Sequence, residues 1–169
     1  MARGRRTGTD DAAFVHELLR ERGASLATAE SLTGGQLAAR LTAVPGASET
    51  YVGGVVTYAT ELKVRLLGVA QELVDRHGVV SAECARSMAD GVRGLTGADY
   101  AIATTGVAGP GEQEGKPAGT VFVAVAGPGL VQVLALELSG ERASVQRRTC
   151  EEGLSALAEI LRQEETPLR

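Results

Sequence analysis

Hydrophobic positions along this chain switch repeatedly between the period of a helix and that of a strand. Phe14, Val15, Leu18 and Leu19 recur at the spacing of one helix face, with Asp10 or Asp11 available as cap and Gly23 as stop, which predicts a first helix reaching about Arg22. Ser25 to Ala29 then reads as a short buried strand, and Leu37, Ala38 and Leu41 place a helix over 36–43. After the breaker Pro45-Gly46, the run Tyr51 to Tyr58 is rich in β-formers, and its paired Gly53 and Gly54 suggest a close backbone approach. Residues 60–67 and 71–77 read as short helices stopped by Gly68 and Gly78. Ser81 is placed to cap a longer helix through about Leu95, with Glu83 in its first turn. Residues 99–105 are strand-like and 106–119 form a Gly/Pro-rich loop. Val121 to Ala126 and Leu130 to Leu138 flank Gly127-Pro128-Gly129 as an antiparallel hairpin, and Ser139 is a candidate cap for a last helix bearing Val145, Leu154, Leu157 and Leu161. Helices interleaved with strands, plus one hairpin, predict an α/β fold: a single-domain three-layer α/β/α sandwich on a mixed sheet that includes one antiparallel hairpin.

Composition narrows the function classes. The chain has 169 residues, enough for one core, a formal charge of -4, only 3% aromatics and no Trp. It therefore offers neither an overall basic footprint nor a stacking platform, and no nucleic-acid partner is expected. Arg3, Arg5 and Arg6 read as part of a solvated tail. No apolar stretch approaches the roughly 18 residues of a membrane span and no signal peptide opens the chain, so no membrane partner and a cytoplasmic location are expected. Cys84 and Cys150 are far apart and lack ligand spacing, which predicts buried free thiols rather than a disulfide or a metal site. His16 and His77 are isolated and read as helix-surface or helix-end residues.

Candidate chemistry concentrates in Thr28-Ala29-Glu30-Ser31-Leu32-Thr33-Gly34-Gly35, where a strand ends in hydroxyls and glycines as a helical pattern begins. Backbone N–H groups at a helix start have no partner within the helix and can point at an anion or a developing oxyanion, so Ser31 there reads as a reactive serine. Serine and threonine are also ordinary helix caps, and the motif alone leaves both readings open. A serine nucleophile needs a proton acceptor, and neither histidine sits in a motif resembling one. Lysine is the remaining candidate, and the chain has only Lys63 and Lys116. Lys63 lies just beyond the glycine-bearing strand; as a base it must be neutral, which requires burial or neighbouring cations, and as a solvated helix-start residue it requires neither. The loop from Thr104 to Gly111 follows a strand, where open α/β sheets bind ligands. It lacks the GK[ST] of a phosphate loop and the GxGxxG of a dinucleotide site, which disfavours nucleoside-triphosphate hydrolysis and Rossmann-type cofactors.

Taken in order, the Thr28–Gly35 block, the Tyr58 to Lys63 segment with Leu67-Gly68-Val69, Gly78-Val79-Val80-Ser81, Thr105-Gly106-Val107-Ala108-Gly109-Pro110 and Lys116-Pro117-Ala118-Gly119-Thr120-Val121 resemble the CinA C-terminal domain family. The resemblance spans 10–163, leaving 1–9 as a flexible N-terminal tail and 164–169 as a C-terminal tail, and the chain looks like a stand-alone version of that domain. It implies a nicotinamide-nucleotide amidase that hydrolyses nicotinamide mononucleotide to nicotinate mononucleotide and ammonia, with no metal and no cofactor. Ser31 matches the family's nucleophile and Lys63 its base. Ser48 and Tyr58 match accompanying hydroxyls, assigned respectively to oxyanion stabilisation and to proton relay or Lys63 positioning. Glu30, Thr33, Gly34, Gly35, Thr105, Gly106, Ala108, Gly109 and Arg142 match positions around the substrate, Arg142 suiting a ligand phosphate. Thr60 departs from the Asn of many relatives, and the loop 111–115 is variable among them. The resemblance also implies a homodimer or higher homo-oligomer. The alternative function is a non-catalytic nucleotide-binding or regulatory module linked to the competence or DNA-damage response.

Overall fold

Five strands and six α-helices alternate along the chain, and the computed structural model describes residues 8–164. The elements are α1 (Gly8–Arg22), β1 (Leu26–Glu30), α2 (Gln36–Thr42), a 3-10 turn (Ala47–Glu49), β2 (Tyr51–Val56), α3 (Thr60–Leu67), α4 (Gln71–His77), α5 (Ala82–Thr96), β3 (Tyr100–Gly106), β4 (Thr120–Gly127), β5 (Leu130–Glu137) and α6 (Arg142–Glu164). Arg3, Arg5 and Arg6 of the expected N-terminal tail, and residues 165–169, lie outside the described residues.

The strands lie in the order β2-β1-β3-β4-β5. β1 is parallel to both β2 and β3, while β3–β4 and β4–β5 are antiparallel, so the sheet is mixed and closes on the expected hairpin. Two successive βα steps make the parallel part, and both deliver their C-terminal ends to one edge of the sheet, the usual place for a ligand in an open α/β fold.

Strand alternation assigns each side chain to one of two helix layers. Leu26, Tyr100, Ile102, Val121, Val123 and Val125 face α1, α2 and α6, whose Val15, Leu19, Leu37, Leu154 and Leu157 complete one core. On the other face Ala27, Ala29, Ala101, Ala103, Ala124 and Ala126 pack against α5 and its Ala85, Met88 and Val92. Large branched residues fill the three-helix side and alanines line the other, so α5 runs close over the strands. Gly54 serves the same economy of space: a Cβ there would come 2.2 Å from Thr28 Oγ1. The close approach expected from the glycine pair is thus made by a neighbouring strand.

Three local expectations need correction. α1 begins at Gly8, upstream of the anticipated caps Asp10 and Asp11, and α6 begins at Arg142, three residues beyond Ser139. His16 is not on a helix surface but fully buried, its Nδ1 2.6 Å from Thr50 Oγ1 and its Nε2 2.9 Å from Leu41 O. A histidine saturated by a hydroxyl and a carbonyl ties α1 to α2 and to the start of β2. Ser81 does cap α5, its Oγ accepting the Cys84 N–H at 3.1 Å, and Cys84 and Cys150 are buried and free. No helix among the described residues is long and apolar enough to cross a membrane.

Candidate active site

The site begins where β1 runs out. The carboxylate of buried Glu30 accepts the N–H groups of Gly35 (3.2 Å) and Leu37 (2.9 Å) on Oε1 and of Ala38 (3.1 Å) on Oε2. It therefore caps α2 and offsets the positive end of its dipole. This corrects the expectation that the α2 N–H groups are open to a ligand, and it makes Glu30 a support of the turn rather than a substrate contact. Gly34 and Gly35 supply the left-handed conformations (φ 57° and 97°) that the turn requires. Thr33 is fully buried, its Oγ1 2.8 Å from Thr104 Oγ1. None of these four reaches the cavity; they fix Ser31, whose own N–H donates to Thr104 O at 3.0 Å.

Lys63 enters from α3. Thr57, at the end of β2, donates its N–H to Glu30 O (2.9 Å), which sets the β2–α3 connection beside the Ser31 turn. The ammonium-bearing arm of Lys63 is then drawn inward until only 1% of the residue is exposed, with Nζ 3.0 Å from Ser31 Oγ, 2.6 Å from Thr57 O and 3.4 Å from Tyr58 O. Among the described residues no carboxylate forms an ion pair with it. Burial pushes the Lys63 pKa below its ordinary 10.5, against weaker upward influences from Cys84 and Glu114. Cys84 is itself pushed up to about 11 by burial and is an uncharged thiol at neutral pH, so the loss of hydration prevails. A neutral amine has two N–H bonds and one lone pair. Once Lys63 gives up its proton, the two carbonyls can accept the former and the lone pair can face the Ser31 hydroxyl.

A cavity of about 320 Å³ opens over this pair, within the size range of small-molecule sites. Thr105, Gly106, Ala108, Gly109 and Arg142 are among the residues that line it. The Arg142 guanidinium donates to Gly109 O (2.7 Å) and to Tyr58 OH (3.0 Å), linking α6 to both neighbouring loops. The Tyr58 ring is 60% exposed, and it is the main-chain carbonyl of this residue, not the phenol, that meets Lys63. Ser48 is not brought to the site. It is exposed on the 3-10 turn before β2, and since β1 and β2 run parallel it sits at the opposite end of the strands from Ser31.

Several lining residues stood in the quoted motifs and loop but were given no site role: Leu32, Val79, Val80, Glu112 and Gln113. Val79 and Val80 look like core positions in any pattern, and they reach the cavity because the α4–α5 connection folds under the 106–119 loop. The N–H of Leu32, the residue after Ser31, has no acceptor among the described residues, and Leu32 lines the cavity.

A three-layer α/β domain with a serine and an unpaired buried lysine at its parallel strand ends defines a narrow structural class. The chain belongs to the CinA C-terminal domain family, whose pattern it matches over residues 9–161. It is 50% identical over 141 residues to a CinA-like protein of Frankia casuarinae, covering 82% of this chain and 33% of that protein. A CinA-like protein of Geobacter sp. strain M21 is 48% identical over 145 residues, 85% of this chain and 35% of its own. The chain thus spans about a third of the length of these curated relatives. Among solved structures, a competence-damaged protein (CinA) superfamily protein from Klebsiella pneumoniae superimposes with a TM-score of 0.91 at 37% identity, covering 94% of this chain and 99% of that one. The competence/damage inducible protein CihA of Agrobacterium tumefaciens does so with 0.89 at 31% identity, over 96% and 100%.

Proposed function

We propose that the protein hydrolyses the carboxamide of nicotinamide mononucleotide to nicotinate mononucleotide and ammonia. The observation that carries this reading is the buried, unpaired Lys63 amine 3.0 Å from Ser31 Oγ. A lysine in that position is costly to the fold and is useful as a base. Ser31 Oγ attacks the carboxamide carbon as its proton passes to Lys63 Nζ, and we assign the free Leu32 N–H to the oxyanion. The Lys63 ammonium then protonates the departing nitrogen, ammonia leaves, and the acyl-Ser31 ester remains. Water attacks that ester with Lys63 again as base, releasing nicotinate mononucleotide and restoring the serine. Arg142 in the cavity lining is available to the substrate phosphate once its bonds to Gly109 and Tyr58 exchange.

Ammonia release from nicotinamide mononucleotide by the purified protein tests the proposal. Turnover falls by about 10³-fold or more in Ser31→Ala and in Lys63→Ala, with nucleotide binding retained. Undiminished turnover in Ser31→Ala removes the mechanism, and saturable binding without turnover in the wild type leaves the nucleotide-binding module instead.

A further inference from the structure

Beyond the serine–lysine pair, the outer wall of the cavity is held by contacts that no catalytic step uses. Gln113 and Lys116 exchange main-chain hydrogen bonds (3.0 and 2.9 Å), closing a two-residue corner at Glu114 and Gly115. Glu114 takes a left-handed φ of 53°, the only such non-glycine residue described. A conformation of that kind persists where the surroundings hold it. Here they do: Glu114 Oε1 accepts the Val79 N–H at 2.9 Å and Oε2 accepts the Val80 N–H at 3.0 Å. The Lys116 ammonium donates to Val80 O, so one short turn is gripped by an acid and a base from the same corner. Gly78 makes room for the grip, since a Cβ there would lie 2.3 Å from Glu114 Oε2. From below, Thr105 Oγ1 donates to Val79 O at 2.6 Å. The gripped residues Val79 and Val80 line the cavity, and so do Glu112 and Gln113, which lead into the corner.

We propose that Glu114 is a positioning residue for substrate binding, a latch that fastens the 109–117 loop to the 78–80 turn and so fixes that wall of the cavity. The inference rests on the function proposed above for its substrate, but the latch is a physical contact that can be read without one. Glu114 makes no hydrogen bond to Ser31 or Lys63 and acts on Lys63 only through its charge, which Glu114→Asp keeps, so its shortening loosens the wall and leaves the reacting pair in place. Ordering a binding wall in advance raises affinity because the ligand no longer has to do it.

Glu114→Gln and Glu114→Asp test this in the full chain, one keeping size without charge and the other charge without reach. Hydrogen exchange at the Val79 and Val80 amides accelerates by about tenfold in both variants. KM for nicotinamide mononucleotide rises by about tenfold, while kcat and the rate at which a fluorophosphonate labels Ser31 stay within about twofold. Wild-type protection of those two amides in both variants overturns the latch whatever the protein hydrolyses. So does a loss confined to kcat and labelling, which places Glu114 in the chemistry instead. If the wild type releases no ammonia from nicotinamide mononucleotide and the two amides still open in the variants, the proposed activity falls and the latch stands.

Discussion

Lys63 is held almost wholly out of water, where its charged form is disfavoured. Its folded pKa lies below the unfolded value of 10.5, so between those two values the unfolded chain holds a proton that the folded one has released. Stability therefore rises with pH across the window between the lowered folded pKa and 10.5, and below that window the penalty is constant. Each unit of depression costs about 1.4 kcal/mol. Lys63→Met removes the penalty, so thermal unfolding at pH 7 shifts upward while activity disappears, and the gain shrinks as the pH approaches 10.5. A variant that melts below wild type at pH 7, with no pH-dependent difference, contradicts a neutral buried lysine. Activity follows the same titration with its own sign: kcat/KM declines as the pH falls through the lowered Lys63 pKa and Nζ gains the proton that it must accept from Ser31. Sequence showed that Lys63 was one of two possible lysine bases; its burial was invisible, because burial depends on α5 and the 78–80 turn closing over it.

At the scale of elements, position is passed from helix to helix rather than along the chain. α3 carries Lys63, and its C-terminal turn presses on α5 at Gly91, where an added Cβ would lie 2.0 Å from Leu67 O. Gly91→Ala gains helix propensity in α5, but the clash is with main chain and α3 must move. Destabilisation of about 1–3 kcal/mol is expected, with a loss of turnover larger than the loss of folded protein, measured by chemical denaturation alongside the ammonia assay. Unchanged stability with unchanged activity refutes the close packing. The elements were largely legible: 60–67 and 71–77 match α3 and α4, and the hairpin and the Ser81 cap stand where the periodicity put them. The errors fall at ends and single residues. Glu30 reads as a pocket residue by its neighbours in sequence, yet it caps α2, because a carboxylate beside three unpaired N–H groups finds them before it finds a ligand. Ser48 fails for a topological reason, since parallel strands send the start of β2 and the end of β1 to opposite edges.

The whole molecule places two parallel strand ends, one helix start and two loops around a single cavity, leaving β2 as an edge strand with Val52 and Val56 exposed. No charged residue lies in β2 to discourage pairing with another chain. We propose a homodimer as the working form, so light scattering should return about twice the 17.4 kDa chain mass. A monomer at micromolar concentrations removes that proposal. What the sequence determined by itself is the order and type of elements, because helix and strand periods, caps and breakers are local properties of the chain. Only the tertiary structure decided which polar groups meet: buried Lys63 against Ser31, Glu30 turned back on its own helix, and Glu114 clamped to a turn 34 and 35 residues away. Those contacts depend on which strand ends share an edge and which helix covers them, and no spacing along the chain encodes that distance.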